Sequence, residues 1–346
     1  MKILYVEDEL SKNIPKIINL FKQLLEEKII RELEKLETDE SGYGAKPDEI
    51  KKIVSQSDLV DIEYNFSDVI KKFNHELVNY KIFIIDRNLS EYPYKKADIQ
   101  KLDPQFQDVF FEKFKEREGD YLMEKLITGK IDVKNQLFFL TANASDNLRN
   151  KDQIEDHINY GRFLKENIID KSDSDAMKKL RYRILNEKSI KLKRDNLKYI
   201  KILNKISPNI SDNFINLLDN KDKSDHVSIR KNLTTIRNIL SDNLLPEIAL
   251  RKEAPKKCWN EKNNNQIVMR AILYWLFHFD DTKGYKFKSN SIIRNFLYDI
   301  QEIGSDFGDH KKYKENKSFQ PTTDTVNALI YALKDIIMWF EENIIK

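Results

Sequence analysis

The sequence predicts two structural classes in one chain: an α/β domain with a doubly wound, five-stranded parallel sheet over residues 1–170, and an all-α domain over residues 207–346. Three short apolar runs at residues 3–6, 82–85 and 137–140 have the length and composition of buried strands. Segments with helical spacing separate these runs, which favours parallel strands joined by right-handed crossovers. After Asp170 the strand-like runs stop and only helical periodicity continues.

The elements of the first domain follow from local pattern. We predict strands at 2–6, 59–64, 81–85, 137–140 and near 162–165. One long helix is predicted from residue 14 to 36, and the polar, Gly-containing segment at 38–47 predicts a loop. A further helix is predicted at 67–77, with the Ser67 hydroxyl as its cap. Residues 90–118 form an insert with a charged helix near 107–117, and a helix at 119–127 leads to the fourth strand.

The second half begins with a charged segment. Residues 171–206 predict a helical linker, and ten Lys or Arg residues lie between positions 178 and 201. This segment is interpreted as a solvated helix face or, alternatively, as a patch for nucleic acid or an acidic partner. Helical periodicity then predicts helices at 225–245, 266–279 and 292–303. A last helix is predicted from residue 322 or 323 onward, directly after Pro321.

Composition restricts the class of protein. A length of 346 residues predicts two domains, and the net charge of +3 does not indicate a polybasic binder. The single cysteine, Cys258, excludes an internal disulfide and a cysteine-based zinc site. The longest apolar stretch, at 271–277, is too short to span a bilayer, and the N-terminus shows no signal-peptide pattern. We therefore expect a cytoplasmic protein without membrane contact.

Polar residues follow the predicted strands where a ligand site would form. Glu7 and Asp8 follow the first strand, Asp86 the third, Thr141 the fourth and Lys165 the fifth. The carboxyl ends of parallel strands meet at one edge of a sheet, so these side chains are expected there together. Acids from two strands offer oxygen ligands to Mg²⁺. Each residue alone has an ordinary role as a cap, a turn residue or a solvated lysine, but together they suggest Mg²⁺-assisted phosphoryl transfer to a carboxylate.

These motifs resemble the receiver domain of bacterial response regulators. ILYVEDE, YKIFIIDRNLS, LFFLTANAS and YGRFLKENII match that family in order and local context over residues 1–170. The resemblance implies a receiver-like, flavodoxin-type fold with Asp86 as the phosphoacceptor. It implies that Asp8 binds Mg²⁺ directly, Glu7 through water, Asp86 through its second oxygen and Asn88 through its backbone carbonyl.

The same resemblance assigns the remaining site residues and shows departures. Lys165 is expected to pair with the acceptor carboxylate, and Thr141 to bond the phosphoryl group as the switch residue. Ser90 and Glu166 stand where receivers usually have proline, and Arg162 stands where they have an aromatic residue. The Asp-Gly that usually follows the third strand closely corresponds to Gly-Asp at 119–120, after the insert. We therefore expect an output that does not use an aromatic switch.

The helical half carries a weaker resemblance. The run 303–310, IGSDFGDH, faintly resembles a loop of HEPN-like and abortive-infection domains, some of which are RNases. Their motif places Arg a few residues before His, whereas Arg294 lies sixteen positions before His310. The nuclease motif is therefore not met, and these two residues are a candidate polar site only.

Together, these features predict a response regulator rather than an enzyme. A sensor histidine kinase or phosphotransfer protein is expected to supply the phosphoryl group to Asp86, and the helical domain to deliver the output. Two alternatives are a phospho-regulated nucleic-acid effector, acting as an RNase or as a binder through residues 178–201, and a docking module that works without phosphorylation.

Overall fold

A computed structural model gives the fold as two compact units, Met1–Arg194 and Asp195–Lys346. The residues that it describes are 2–39, 46–106, 112–114, 117–129, 133, 136–141, 157–260, 263–277, 279–280, 284–285, 291–309 and 319–346.

A five-stranded parallel sheet forms the centre of the first unit. The strands are β1 (Lys2–Val6), β2 (Val60–Glu63), β3 (Tyr80–Asp86), β4 (Leu137–Thr141) and β5 (Ile168–Asp170). Their order is β2-β1-β3-β4-β5, and every neighbouring pair is parallel. The predicted fold class is therefore confirmed, and the first four strands lie close to their predicted positions. The fifth strand was predicted too early, at 162–165.

Eight helices of this unit have both of their bounds within the described residues. They are α1 (Ile14–Phe21), α2 (Glu27–Asp39), α3 (Pro47–Val54), α4 (Phe66–His75), α5 (Lys96–Leu102), α6 (Glu118–Thr128), α7 (Ser174–Asn186) and α8 (Lys188–Asp195). Short 3₁₀ turns at Leu10–Asn13, Leu77–Asn79 and Lys165–Asn167 precede α1, β3 and β5.

The sheet is buried on both faces, which is why its strands are nearly continuous apolar runs. Alternation along β1 sends Ile3 and Tyr5 into one core and Leu4 and Val6 into the other. Residues of α1, α2, α3, α7 and α8 complete the first core, and residues of α4, α5 and α6 complete the second. Each fully buried aliphatic side chain contributes about 1.5–3 kcal/mol relative to exposure.

Two further local predictions for the first unit were wrong. The single helix expected at 14–36 is two helices, because the amides of Leu24 and Leu25 both donate to the Phe21 carbonyl, at 2.7 and 3.0 Å, and turn the chain. This turn buries both leucines. The cap of α4 is Asn65, whose side chain accepts from the Ser67 amide at 2.8 Å, so Ser67 is not the cap. The insert helix expected at 107–117 lies mostly outside the described residues.

The predicted linker at 171–206 is not a separate segment. Its first two helices, α7 and α8, belong to the first unit and place Leu180, Ile184 and Ile190 at 0% exposure in the core beside β1. The boundary between the units falls after Arg194, so the remainder of the segment is part of the second unit.

The second unit is helical. Its helices are α9 (Leu197–Asn204), α10 (Pro208–Asn220), α11 (His226–Asn238), α12 (Leu245–Arg251), α13 (Met269–Phe277), α14 (Ser291–Ile303) and α15 (Thr323–Phe340). Two antiparallel pairs, Trp259–Asn260 with Asn263–Ile267 and Phe279–Asp280 with Gly284–Tyr285, were not predicted. The start of α15 was predicted correctly: Thr322 caps it through a reciprocal bond with Thr325. Across the described residues, every helix is too short or too polar to cross a membrane.

Candidate functional site

The carboxyl edge of the sheet brings three acidic side chains together. Glu7 and Asp8 follow β1, and Asp86 is the last residue of the neighbouring β3, which pairs with β1 up to Val6 and Ile85. One carboxylate oxygen from each acid lies within 4.8 Å of the others. Their exposed fractions are 0%, 4% and 7%, so this cluster, the acidic cluster, is almost fully buried.

Lys171 provides the positive charge of the acidic cluster. Its ammonium group donates to Glu7 Oε2 at 2.6 Å and also to Asp86 Oδ2. Lys171 is the first residue after β5, and its amide donates to the carbonyl of Thr141 at 2.8 Å, which fixes it beside the end of β4. Its side chain is only 12% exposed.

The lysine assigned from the sequence, Lys165, lies elsewhere. It begins the 3₁₀ turn before β5 and is therefore at the amino end of that strand. The pairing of β4 with β5 explains this difference. Thr141 pairs with Asp170, so the lysine at the carboxyl edge is Lys171, six positions later than expected. The missed signal was the apolar pair Ile168-Ile169 followed by a polar residue and Lys171.

Burial and mutual repulsion control the charges of the acids. The pKa of Asp86 is raised from 3.8 to about 8, first by burial and then by the Glu7 carboxylate, although Lys171 opposes the rise. Burial likewise raises the pKa of Asp8 to about 6, although its hydrogen bond from the Glu91 amide opposes the rise. The pKa of Lys171 is also raised, because Glu7 and Asp86 outweigh the lowering effect of burial. The cluster therefore retains a proton more readily than exposed acids would.

Hydrogen bonds orient the two acids that follow β1. Tyr5 donates its hydroxyl to Glu7 Oε2 at 3.2 Å, and the Glu9 amide donates to Glu7 Oε1 at 3.3 Å. The Glu91 amide donates to Asp8 Oδ2 at 2.8 Å. Since Glu91 lies in the insert after β3, this bond joins the insert to the acidic cluster.

Thr141 and Asn88 are placed at the same edge. Thr141 ends β4 and is buried, one position beyond Leu140, which pairs with Asp86 across the sheet. Asn88 is exposed, and its side-chain oxygen accepts from the Ser90 amide at 3.1 Å. The Asn88 side chain is thus engaged locally, whereas the predicted ligand is its backbone carbonyl.

The predicted Gly-Asp pair supports the end of β3 from α6. The Gly119 amide donates to the Arg87 carbonyl at 3.0 Å. A Cβ atom at this position would lie 2.0 Å from the Asp86 carbonyl oxygen, so only glycine permits the approach. Beside it, the buried Arg87 and Asp120 form an ion pair with Nε and Oδ1 3.2 Å apart. These contacts from α6 therefore hold the carboxyl end of β3 in place.

The acidic cluster fits a divalent cation by its chemistry. Three carboxylates from two adjacent strands face one lysine, so the fully ionised cluster carries an excess of negative charge. Mg²⁺ prefers oxygen ligands and is usually held by one or two carboxylates with water completing the shell. By contrast, Glu63 at the end of β2 is already paired with Lys51 at 2.7 Å and Lys72 at 3.1 Å.

The candidate polar site of the helical unit is not assembled by the described residues. Arg294 is an exposed residue of α14, and His310 lies outside the described residues. The run before it forms a π-helical segment at Gly304–Asp309. Arg230 of α11 donates to the Gly308 carbonyl at 2.7 Å, and a Cβ at Gly308 would lie 2.9 Å from Thr234 Oγ1. This run is therefore packed closely against α11.

The basic segment at 178–201 is divided between the two units. Eight of its ten cations precede the boundary after Arg194, and several are used locally. Lys178 pairs with Asp175 at 3.0 Å, Lys193 donates to the Asp58 carbonyl at 2.8 Å, and Arg183 lies 4.6 Å from the centre of the Phe138 ring.

Comparison with known proteins gave no relatives: no family model, no curated protein and no solved structure matches the chain. The geometry at the carboxyl edge of the sheet is therefore the basis for a functional proposal.

Proposed function

We propose that the first unit is a receiver-like domain in which Asp86 accepts a phosphoryl group, and that the helical unit delivers the output. The observation that carries this proposal is the acidic cluster with Lys171 bonded to Asp86. Acids from two strands and a lysine from a third converge there on the carboxylate at the end of the central strand β3. Open α/β sheets place their ligands at this edge.

Asp86 is the nucleophile in the proposed reaction. One of its carboxylate oxygens attacks the phosphorus atom of a phosphohistidine or an acyl phosphate, the bond from phosphorus to the donor breaks, and the donor leaves with the electron pair. Glu7, Asp8 and Asp86 are the residues that would hold Mg²⁺, which when bound neutralises the phosphoryl oxygens. Lys171 acts as a point charge that holds the carboxylate before transfer and the phosphoryl group afterward.

Thr141 is the proposed sensor of the modified state. Its hydroxyl belongs to the strand next to β3, and its backbone is bonded to Lys171. A contact from Thr141 that exists only with the phosphoryl group would bias a two-state equilibrium. The residue three positions before Lys171 is Ile168, so an aromatic side chain is absent there as well as at Arg162.

The test is phosphorylation by acetyl phosphate with Mg²⁺, followed by intact-mass analysis of the full chain. We expect one added phosphoryl group in the wild type and none in Asp86→Asn. Asp61→Asn is a matched control, because Asp61 is also a buried acid of the sheet but is bonded to Lys72 and Tyr80. An unmodified wild type, or modification that persists in Asp86→Asn, would contradict the proposal. The first of these results would favour the docking-module alternative.

A further inference from the structure

A second charged feature of the first unit is a pocket between α1 and α7. It has a volume of about 330 Å³, at the lower end of the 300–1,000 Å³ typical of small-ligand sites. Four cationic side chains line it: Lys16, Lys171, Lys178 and Arg181. No carboxylate is present among the described residues that line it.

Two of these cations have their charges compensated and two do not. Lys171 is bonded to Glu7 and Asp86, and Lys178 is paired with Asp175. Among the described residues, Lys16 and Arg181 form no ion pair with a carboxylate. The guanidinium group of Arg181 donates to the amide oxygen of Asn19 at 3.3 Å. Since Asn19 also lines the pocket, this bond holds the guanidinium group at the pocket wall.

We propose that this pocket, which we call the α1–α7 pocket, binds a small phosphate-bearing anion. A guanidinium fork and an ammonium group match phosphate oxygens, and Arg181 supplies donors in the geometry that phosphate recognition uses. Ser172 and Ser174 add hydroxyl groups to the lining, whereas Leu20 and Met177 give it an apolar part. Such a lining fits an anionic group attached to a small organic body as well as an inorganic anion.

The α1–α7 pocket is distinct in chemistry from the acidic cluster. Anion binding at the acidic cluster requires a cation to offset the carboxylates, whereas the pocket is positive by itself. Binding without Mg²⁺ therefore separates the two sites and tests the pocket independently of the proposed reaction at Asp86. Lys171 lines the pocket and contacts Asp86, so the two sites share this one residue.

The experiment is isothermal titration of the full chain in EDTA at constant ionic strength, with inorganic phosphate, pyrophosphate and AMP as separate probes. We expect saturable binding of one molecule per chain for at least one probe in the absence of divalent cations. AMP binding tighter than that of both inorganic probes identifies an organic phosphate as the occupant, and the reverse order identifies an inorganic one.

Variants test the assignment to the pocket. The double variant Lys16→Gln/Arg181→Gln should weaken binding by about tenfold or more, because hydrogen bonds to charged groups are lost. The single variant Arg181→Lys keeps the positive charge but lacks the guanidinium group. Its binding should therefore weaken less than that of the double variant. The control Lys28→Gln/Arg31→Gln removes the same charges from exposed positions of α2 and should change binding by less than about twofold. Absence of saturable binding of all three probes, or equal losses in the pocket and control variants, would overturn the proposal.

Discussion

Replacing Asp86 by asparagine should stabilise the metal-free protein at alkaline pH. Burial and the neighbouring Glu7 raise the pKa of Asp86 from 3.8 to about 8. Between these two values the folded protein holds a proton that the unfolded chain has released. Stability then falls as pH rises, and the loss is complete once pH exceeds the folded pKa. Asparagine cannot ionise, so the variant does not lose this stability as pH rises.

The magnitude follows from the size of the shift. The pKa of Asp86 differs by about four pH units between the folded and unfolded states. At roughly 1.4 kcal/mol for each unit, the upper limit on the loss of stability is on the order of 6 kcal/mol. We expect about half of that, roughly 3 kcal/mol near pH 9, because relaxation and water penetration lower the cost of a buried charge. Near pH 4 the protonated Asp86 and asparagine are similar in charge and shape, so the difference should approach zero.

The assay is urea unfolding in EDTA, followed by circular dichroism at intervals from about pH 5 to 9. Asp61→Asn is the control with the opposite sign. Although burial raises the pKa of Asp61, hydrogen bonds from Lys72 and Tyr80 outweigh it and lower that pKa, so this variant should be less stable than the wild type at neutral pH. Addition of Mg²⁺ at pH 8 should stabilise the wild type and not Asp86→Asn. A stability difference between Asp86→Asn and the wild type that is independent of pH would refute the reasoning.

Three other perturbations have defined outcomes. Gly119→Ala should lower the free energy of unfolding by about 2–4 kcal/mol in urea titrations, because its Cβ would meet the backbone of β3. A fragment of residues 1–194 should unfold cooperatively on heating, whereas a fragment of residues 1–170 should not. Lys171→Gln should lower the rate of phosphorylation by acetyl phosphate at least about tenfold, since removal of one electrostatic contact in a dry site typically costs that much. Lys165→Gln should leave this rate unchanged.

Each of these outcomes has a matched control or a contrary result. Gly129→Ala should cost less than Gly119→Ala, because its nearest contacts to a new Cβ are 3.1 and 3.3 Å away. Truncation after residue 170 removes the fully buried Leu180, Ile184 and Ile190. Cooperative folding of residues 1–170 alone would therefore contradict the fragment prediction. Equal effects of the two lysine variants would argue against a direct contact with Asp86.

The parts of the fold that the sequence predicted well are those with a strong, continuous pattern. β1, β3 and β4 are apolar runs buried on both faces, and the polar residues that end them are Glu7, Asp86 and Thr141. Because a parallel sheet brings these strand ends to one edge, the acids of the site could be predicted from the order of the strands and the polar residue at the end of each. The cap of α4 and the break between α1 and α2 depend on one or two local hydrogen bonds and were not predictable from periodicity.

The lysine of the site was not predictable for a different reason. β5 has only three residues, so its apolar signal is no stronger than that of the preceding segment with Phe163 and Leu164. Phe163 is indeed buried, but in a non-strand conformation before Lys165. Only the pairing of β4 with β5 decides which lysine reaches the edge, and pairing is a tertiary property. The short antiparallel pairs at 259–267 and 279–285 were missed because their sequences are polar and brief.

The position of Lys171 along the chain has a consequence for the order of folding. Glu7 and Asp86 become neighbours when β1 pairs with β3, but their cation is 164 residues from Glu7 and 85 residues from Asp86 in sequence. A growing chain that has emerged only as far as β4 would have to bury Glu7 and Asp86 without their cation, at a cost of several kcal/mol for each acid that stays ionised. A sheet of the first four strands without β5 is therefore less stable than the complete sheet. Docking of β5 supplies the cation, which links the first and last strands of the sheet in sequence into one cooperative folding event.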